Sequence, residues 1–116
     1  MRVIAKYFPE KTPPLLQLSV FDAPHRRMHI RVIQQYRQKL YDACKVAGLA
    51  MPIEHPVDLA VLFIEPSSPD MGNLYLALEQ ALDGSTLTKH NAVLTDDSLI
   101  DKTTMSKYYP HTGGKK

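Results

Sequence analysis

Apolar positions along the chain change their period several times, and each change marks an element. Residues 2–8 (RVIAKYF) and 15–21 (LLQLSVF) are rich in strand-forming side chains and are separated by Pro9, Pro13 and Pro14, which predicts two short strands. After Asp22-Ala23-Pro24, the residues Ile33, Tyr36, Leu40, Ala43 and Ala47 recur at steps of three and four, predicting an amphipathic helix over 26–47 that ends near Gly48. Pro52 and Pro56 lead into Val57–Ile64, a dense apolar run of strand length that reads as the central strand. Pro66 and Pro69 remove backbone donors and force a loop after it. Leu74, Ala77, Leu78, Ala81 and Leu82 then share one face of a second helix over 73–82. A polar loop follows to about Asn91, then the apolar Ala92-Val93-Leu94, the acidic Thr95-Asp96-Asp97, and a last strand through Tyr109. The expected fold is α+β, a small mixed sheet packed against two main helices. It forms a single domain over 1–110 with a flexible basic tail at 111–116.

Composition narrows the field. With 116 residues, 44% apolar and 22% charged, the chain suits one globular domain and not a disordered or collagenous one. No run of about 18 apolar residues occurs, and Met1-Arg2-Val3-Ile4-Ala5-Lys6 has no long apolar core before its next charge, so neither a membrane span nor a secretion signal is expected. The single cysteine, Cys44, excludes an internal disulfide and fits a cytoplasmic, reducing setting. The net charge of +2 conceals blocks: +2 over 1–21, +4 over 22–53, −8 over 54–101 and +4 from Lys102 onward. A basic surface around concentrated carboxylates suits a protein that holds a polyanion beside a metal ion, and it equally suits helix faces that merely differ in charge.

Two acidic positions stand where a side chain can be held rigidly: Asp70, at a strand-to-helix junction, and the Asp96-Asp97 pair. Hydrolysis of a phosphodiester with a divalent ion needs hard oxygen ligands from separate elements. The competing account makes Asp70 a helix cap and Asp96-Asp97 a polar turn. No Gly-rich phosphate loop and no Gly-x-Ser-x-Gly elbow is present, which removes support for P-loop and α/β-hydrolase chemistry.

The order of elements, with Gly48-Leu49-Ala50-Met51-Pro52, Pro69-Asp70-Met71-Gly72-Asn73-Leu74, Ala81-Leu82 and Leu94-Thr95-Asp96-Asp97-Ser98-Leu99-Ile100, resembles the RusA family of Holliday junction resolvases. The likeness runs from the long helix to about Lys107. It implies a homodimer that resolves four-way (Holliday) DNA junctions as a Mg²⁺-dependent, structure-specific endonuclease, with Mn²⁺ able to substitute. Its signature Asp-x-Asp-Asn-Leu-x-Lys is matched by Asp70, Asn73 and Leu74, and Asp97, with Asp96 beside it, matches the downstream acid. The implied metal ligands are Asp70 and Asp97, with Asp96 as a third catalytic acid. The expected DNA contacts are Asn73, at a matched position of the signature, Lys107, and Arg26, Arg27 and Arg31 of the basic first helix. Gly72 and Leu76 stand where the family has its second aspartate and its lysine, Pro13-Pro14 runs into Leu15-Leu16 without the family's asparagine loop, and the chain ends about where a further edge strand would begin. These departures frame the alternative, a catalytically inactive junction-binding or protein-interaction module on the same scaffold. Glu65, Glu79 and Asp83 are the acids left that could approach the site, although Glu79 lies about 13 Å along an ideal helix from Asp70.

Other residues carry weaker signals. His25 and His29 are four apart, a metal-pair spacing on a helix, but the glutamate of a His-Glu-x-x-His arrangement is missing, which leaves a polar or phosphate-contacting role. Arg26, Arg27, Arg31, Arg37, Lys39 and Lys45 make the first helix basic enough to follow a DNA backbone, with a solvated helix face as the competing account. Tyr75, Tyr108 and Tyr109 are candidates either for base stacking or for packing, and Cys44 falls on an apolar helix face where burial is expected.

Overall fold

The computed structural model describes residues 1–25, 29–84 and 91–110. Strands β1 (Arg2–Phe8) and β2 (Leu15–Phe21) form an antiparallel pair in the register Arg2 to Phe21 and Phe8 to Leu15. Strand β3 (Val57–Ile64) lies parallel to β2, and β4 (Ile100–Tyr108) lies parallel to β3, giving the order β1-β2-β3-β4. Helix α1 (Ile30–Val46) connects β2 to β3, and α2 (Met71–Leu82) connects β3 toward β4. Both crossovers advance across the sheet in one direction, and crossovers of one hand that do so put their helices on the same face. The α+β class expected from the hydrophobic pattern is the class observed.

Burial follows the strand period of two. On the helix side Leu16, Leu18 and Val20 of β2 and Val57, Leu59, Val61 and Phe63 of β3 are buried, while their neighbours in sequence are not. Tyr36, Leu40 and Cys44 of α1 and Leu74, Ala77, Leu78, Ala81 and Leu82 of α2 complete the core. Cys44 is buried as expected, and loss of solvent pushes its thiol up to about 12, so it stays protonated and unreactive.

The first helix begins at Ile30, with His29 as its N-cap: His29 Nδ1 accepts from the Arg31 amide at 3.2 Å. His25 precedes the helix, and its ring pairs with Ser67 Oγ at 3.0 Å. The two histidines therefore do not share a helical face, and the metal-pair geometry is not formed. Arg26 and Arg27 lie outside the described residues, as do 85–90 and the expected tail at 111–116.

Candidate metal centre at the end of the second helix

The acidic centre is built from the end of α2 and a short segment that returns to it. After Leu82 the chain turns at Asp83-Gly84, and the Gly84 amide donates to the Leu94 carbonyl at 2.8 Å while the Leu94 amide donates to Leu82 at 3.2 Å. A Cβ on Gly84 would collide with the Leu94 carbonyl and the Ala92 side chain, so this close approach of two backbones needs glycine. Ala92, Val93 and Leu94 are buried, which anchors the returning segment by its apolar side chains. Ile53 fastens it from the other side, donating to Val93 at 2.7 Å and accepting from the Thr95 amide at 3.1 Å. The residues that follow this pinned segment, Asp96 and Asp97, are thereby delivered to the C-terminal end of α2.

There Asp83, Asp96 and Asp97 each offer a carboxylate oxygen, and the three oxygens lie within 4.8 Å of one another. Asp83 is buried and the other two are half-buried. Asp83 Oδ1 accepts from the Asp97 amide at 3.2 Å, and Asp96 Oδ1 accepts from the Ser98 amide at 2.8 Å, capping a 3-10 turn over Asp97–Leu99. Burial, then the charges of Asp83 and Asp96, raise the Asp97 carboxyl above the ordinary carboxylate range. Burial, then Asp97 and Asp83, do the same to Glu79, one turn before Asp83 on α2. Asp96 is shifted down by its hydrogen bonds with Ser98.

The location compounds the repulsion. The last turn of α2 carries no basic residue, and a helix C-terminus is the negative end of the backbone dipole, where acids are disfavoured. Arg37 offsets part of this from below. Its side chain is 3% exposed, donating through Nε to the Ala81 carbonyl at 3.1 Å and through Nη2 to the Asp83 carbonyl at 2.6 Å. It thus satisfies carbonyls that the helix end leaves open. Burial lowers the Arg37 pKa and the Asp83 charge opposes that shift. Expected as part of a DNA-following helix face, Arg37 is instead a buried cap of α2.

Asp70 stands elsewhere. It is the N-cap of α2, its Oδ1 accepting from the Asn73 amide and its Oδ2 from Asn73 Nδ2, both at 3.2 Å. Asp83 is the C-cap of the same helix, and thirteen residues at 1.5 Å each separate the two by about 20 Å. The strands agree: Ile100 pairs with Val57 and Tyr108 with Ile64, so Asp97 enters beside the start of β3, whereas Asp70 follows its end. Oxygens sharing one Mg²⁺ stand within about 4.2 Å, twice a coordination distance of 2.1 Å; the acids at the end of α2, within 4.8 Å, reach that by a small side-chain adjustment, and a separation of about 20 Å does not allow it. Asp70 and Asp97 of one chain do not share an ion, and the acids that could hold one together are Asp83, Asp96 and Asp97. The competing account of Asp70, a helix cap, describes its geometry.

Asn73 is held by Asp70, and Lys107 Nζ donates to the Pro69 carbonyl at 2.6 Å, so both gather at the Asp70 end, about the length of α2 from the acidic centre. Arg31 is exposed in the first turn of α1. Tyr75 is half-buried, its hydroxyl 3.3 Å from Thr103 Oγ1, and is a packing residue; Tyr108 is 53% exposed. Neither a protein-family model, a curated protein nor a solved structure matches the chain. Among the described residues no helix is long and apolar enough to cross a membrane.

Proposed function

We propose that the protein is a divalent-metal-dependent endonuclease of the RusA-like kind, a homodimer acting on four-way or otherwise branched DNA, with its metal centre at Asp83, Asp96 and Asp97. The observation that supports this reading is the convergence of three carboxylate oxygens within 4.8 Å at the negative end of a helix. Hard oxygen donors of this kind suit Mg²⁺ or Mn²⁺, which complete their shells with water. When bound, such an ion supplies Lewis-acid stabilisation of a phosphoryl oxygen and lowers the pKa of a water. The chain's own part is to hold Asp97 by its amide on Asp83 and to fix Asp96 through the Ser98 cap, with Glu79 one turn before Asp83 on α2. A two-fold junction calls for a two-fold enzyme, which is what a homodimer supplies.

A synthetic four-way junction incubated with the protein tests the reading. Cleavage that requires Mg²⁺ or Mn²⁺, and that is lost in Asp97→Asn but retained in Asp70→Asn, is the expected outcome. Absence of cleavage at every concentration of either ion rejects it.

The alternative reading, a scaffold that binds junctions without cutting them, is favoured by one specific observation: Asp70 has no acidic neighbour on its helix, since Gly72 occupies the position of the family's second aspartate and a Cβ there would sit 3.3 Å from Asp70 Oδ1. Junction binding that persists in chelator, with cleavage appearing only in the Gly72→Asp/Leu76→Lys double variant, decides for it.

A further inference from the structure

The helices cover one face of the sheet, and the residues of the other face remain half-exposed or exposed. Three of the four strands are parallel, and parallel strands are ordinarily covered on both faces. This open face has a definite chemistry. Cross-strand partners point to the same side, so one row across it reads Arg2, Phe21, Ile64, Tyr108 and the row at the other end reads Phe8, Leu15, Asp58, Lys102. The Arg2 guanidinium lies 4.1 Å from the centroid of the Phe21 ring and is itself exposed. Tyr108 at the far end of that row is 53% exposed. Between the rows lies a shallow hollow of about 200 Å³ lined by Gln17, Ala60, Leu62, Thr104 and Ser106, with Lys6 beside it on β1.

The strand register places Arg2, Lys6 and Lys102 on this face against Asp58, and the exposed Asp101, the unpaired residue at the irregularity between Ile100 and Lys102, adjoins it, which leaves the cations in excess. A second copy laid on it would bring two like-charged surfaces together, which disfavours a sheet-to-sheet dimer. An anionic partner meets no such penalty. Planar groups at one end, hydroxyl and amide donors along the middle and cations at both edges are the parts from which single-strand binding surfaces are made, with bases stacking on aromatic rings or guanidinium planes and phosphates meeting lysines. We infer that the open face of the sheet binds single-stranded DNA, with Tyr108 and the Arg2–Phe21 pair as stacking platforms and Lys6 and Lys102 as phosphate contacts. Seven residues at about 3.3 Å each give the face a length of about 23 Å, room for a strand of a few nucleotides. The choice of DNA over RNA rests on the branched-DNA reading above; the surface itself is independent of the acidic centre and lies behind it.

The test is fluorescence anisotropy of an oligo-dT of about 12 nucleotides, within the site sizes of single-strand binders, with the full chain in chelator so that metal and cleavage play no part. Salt-dependent binding is expected. Tyr108→Ala should weaken it about tenfold, and Lys6→Glu/Lys102→Glu should weaken it more than tenfold while flattening the log–log salt slope by about 1.4, at about 0.7 per phosphate contact. Gln35→Glu, on the exposed side of α1, should leave it unchanged, and unaltered thermal melting of each variant shows that the fold is intact. No binding to oligo-dT, binding only to oligo-U, or equal binding of duplex with no effect of Tyr108→Ala each overturns the inference. So does sedimentation showing a dimer that the lysine reversals alter. A protein that binds oligo-dT but cuts no junction keeps this inference and loses the nuclease reading, and the opposite result separates them the other way.

Discussion

Replacing Asp97 with Asn should make the ion-free protein more stable and remove its response to Mg²⁺. Two unit charges 4.8 Å apart repel by about 0.9 kcal/mol in water and about 3.5 kcal/mol at an effective dielectric constant of 20. Because the Asp97 side chain is only half-buried and salt screens it, the gain on neutralising it against Asp83 should be near the lower figure, about 1 kcal/mol. For a chain of this size that raises Tm by about 4 °C. In the native protein, Mg²⁺ at about a hundred times its Kd should add about 2.7 kcal/mol, or about 11 °C. Asp97→Asn should show almost none of that increment. The pH dependence carries the same logic. Asp97 and Glu79 have folded pKa values raised above the ordinary carboxylate value of about 4, so between that value and the raised ones the native state holds more protons than the unfolded chain. Stability should therefore fall as pH rises through this window, and less steeply in Asp97→Asn. Asp96 acts in the opposite sense, its lowered value giving stability that is lost on further acidification below the ordinary range. Differential scanning fluorimetry from pH 4 to 8, with and without Mg²⁺, measures both effects. Equal Mg²⁺ shifts in the two proteins, or a native stability that is flat with pH, would refute the reasoning.

Three further outcomes follow from the packing. Asp70→Ala should cost about 1 kcal/mol through loss of the α2 cap, and chemical denaturation should show the Mg²⁺ increment intact; a lost increment would return Asp70 to the metal centre. Arg37→Met should lower stability by about 2–4 kcal/mol, because the Ala81 and Asp83 carbonyls lose their donors, and Arg37→Lys should recover little, since a single ammonium cannot reproduce the fork; urea midpoints measure both. The Tyr36 hydroxyl is buried without a hydrogen-bond partner among the described residues, so Tyr36→Phe should be neutral or stabilising by up to about 1 kcal/mol in the same assay, and a clear loss would reveal a bond to it.

The elements that were legible in the sequence are those whose period has one physical meaning. β1, β2 and β3 match the expected 2–8, 15–21 and 57–64 because strand-forming residues are bounded there by proline or turn residues. The first helix starts at Ile30 and not at 26 because His29 supplies a cap that histidine seldom provides, and apolar spacing carries no trace of it. The acid pair was visible, and Asp83 was one of three acids, with Glu65 and Glu79, left as candidate neighbours; which of them joins the pair was not. That depended on β4 running parallel to β3, which sets Asp97 at the opposite end of α2 from Asp70, and strand sense has no local signature. The usable signal was the four-residue spacing of Glu79 and Asp83, which puts two acids on the same side of the last turn of α2. The buried role of Arg37 was concealed for the same reason: within a basic helix nothing marks the one guanidinium that a neighbouring helix end covers.

The tether through Gly84, Leu94 and Ile53 has a dynamic corollary. Their amides join backbone groups separated by up to forty residues, and the side chains of Ile53, Val93 and Leu94 are sealed in the interior. Hydrogen exchange at these three amides should report opening of the whole molecule and not a local breathing of the loop. Any fit to cations of different radius would then fall to rotation of the Asp83, Asp96 and Asp97 side chains on a fixed backbone.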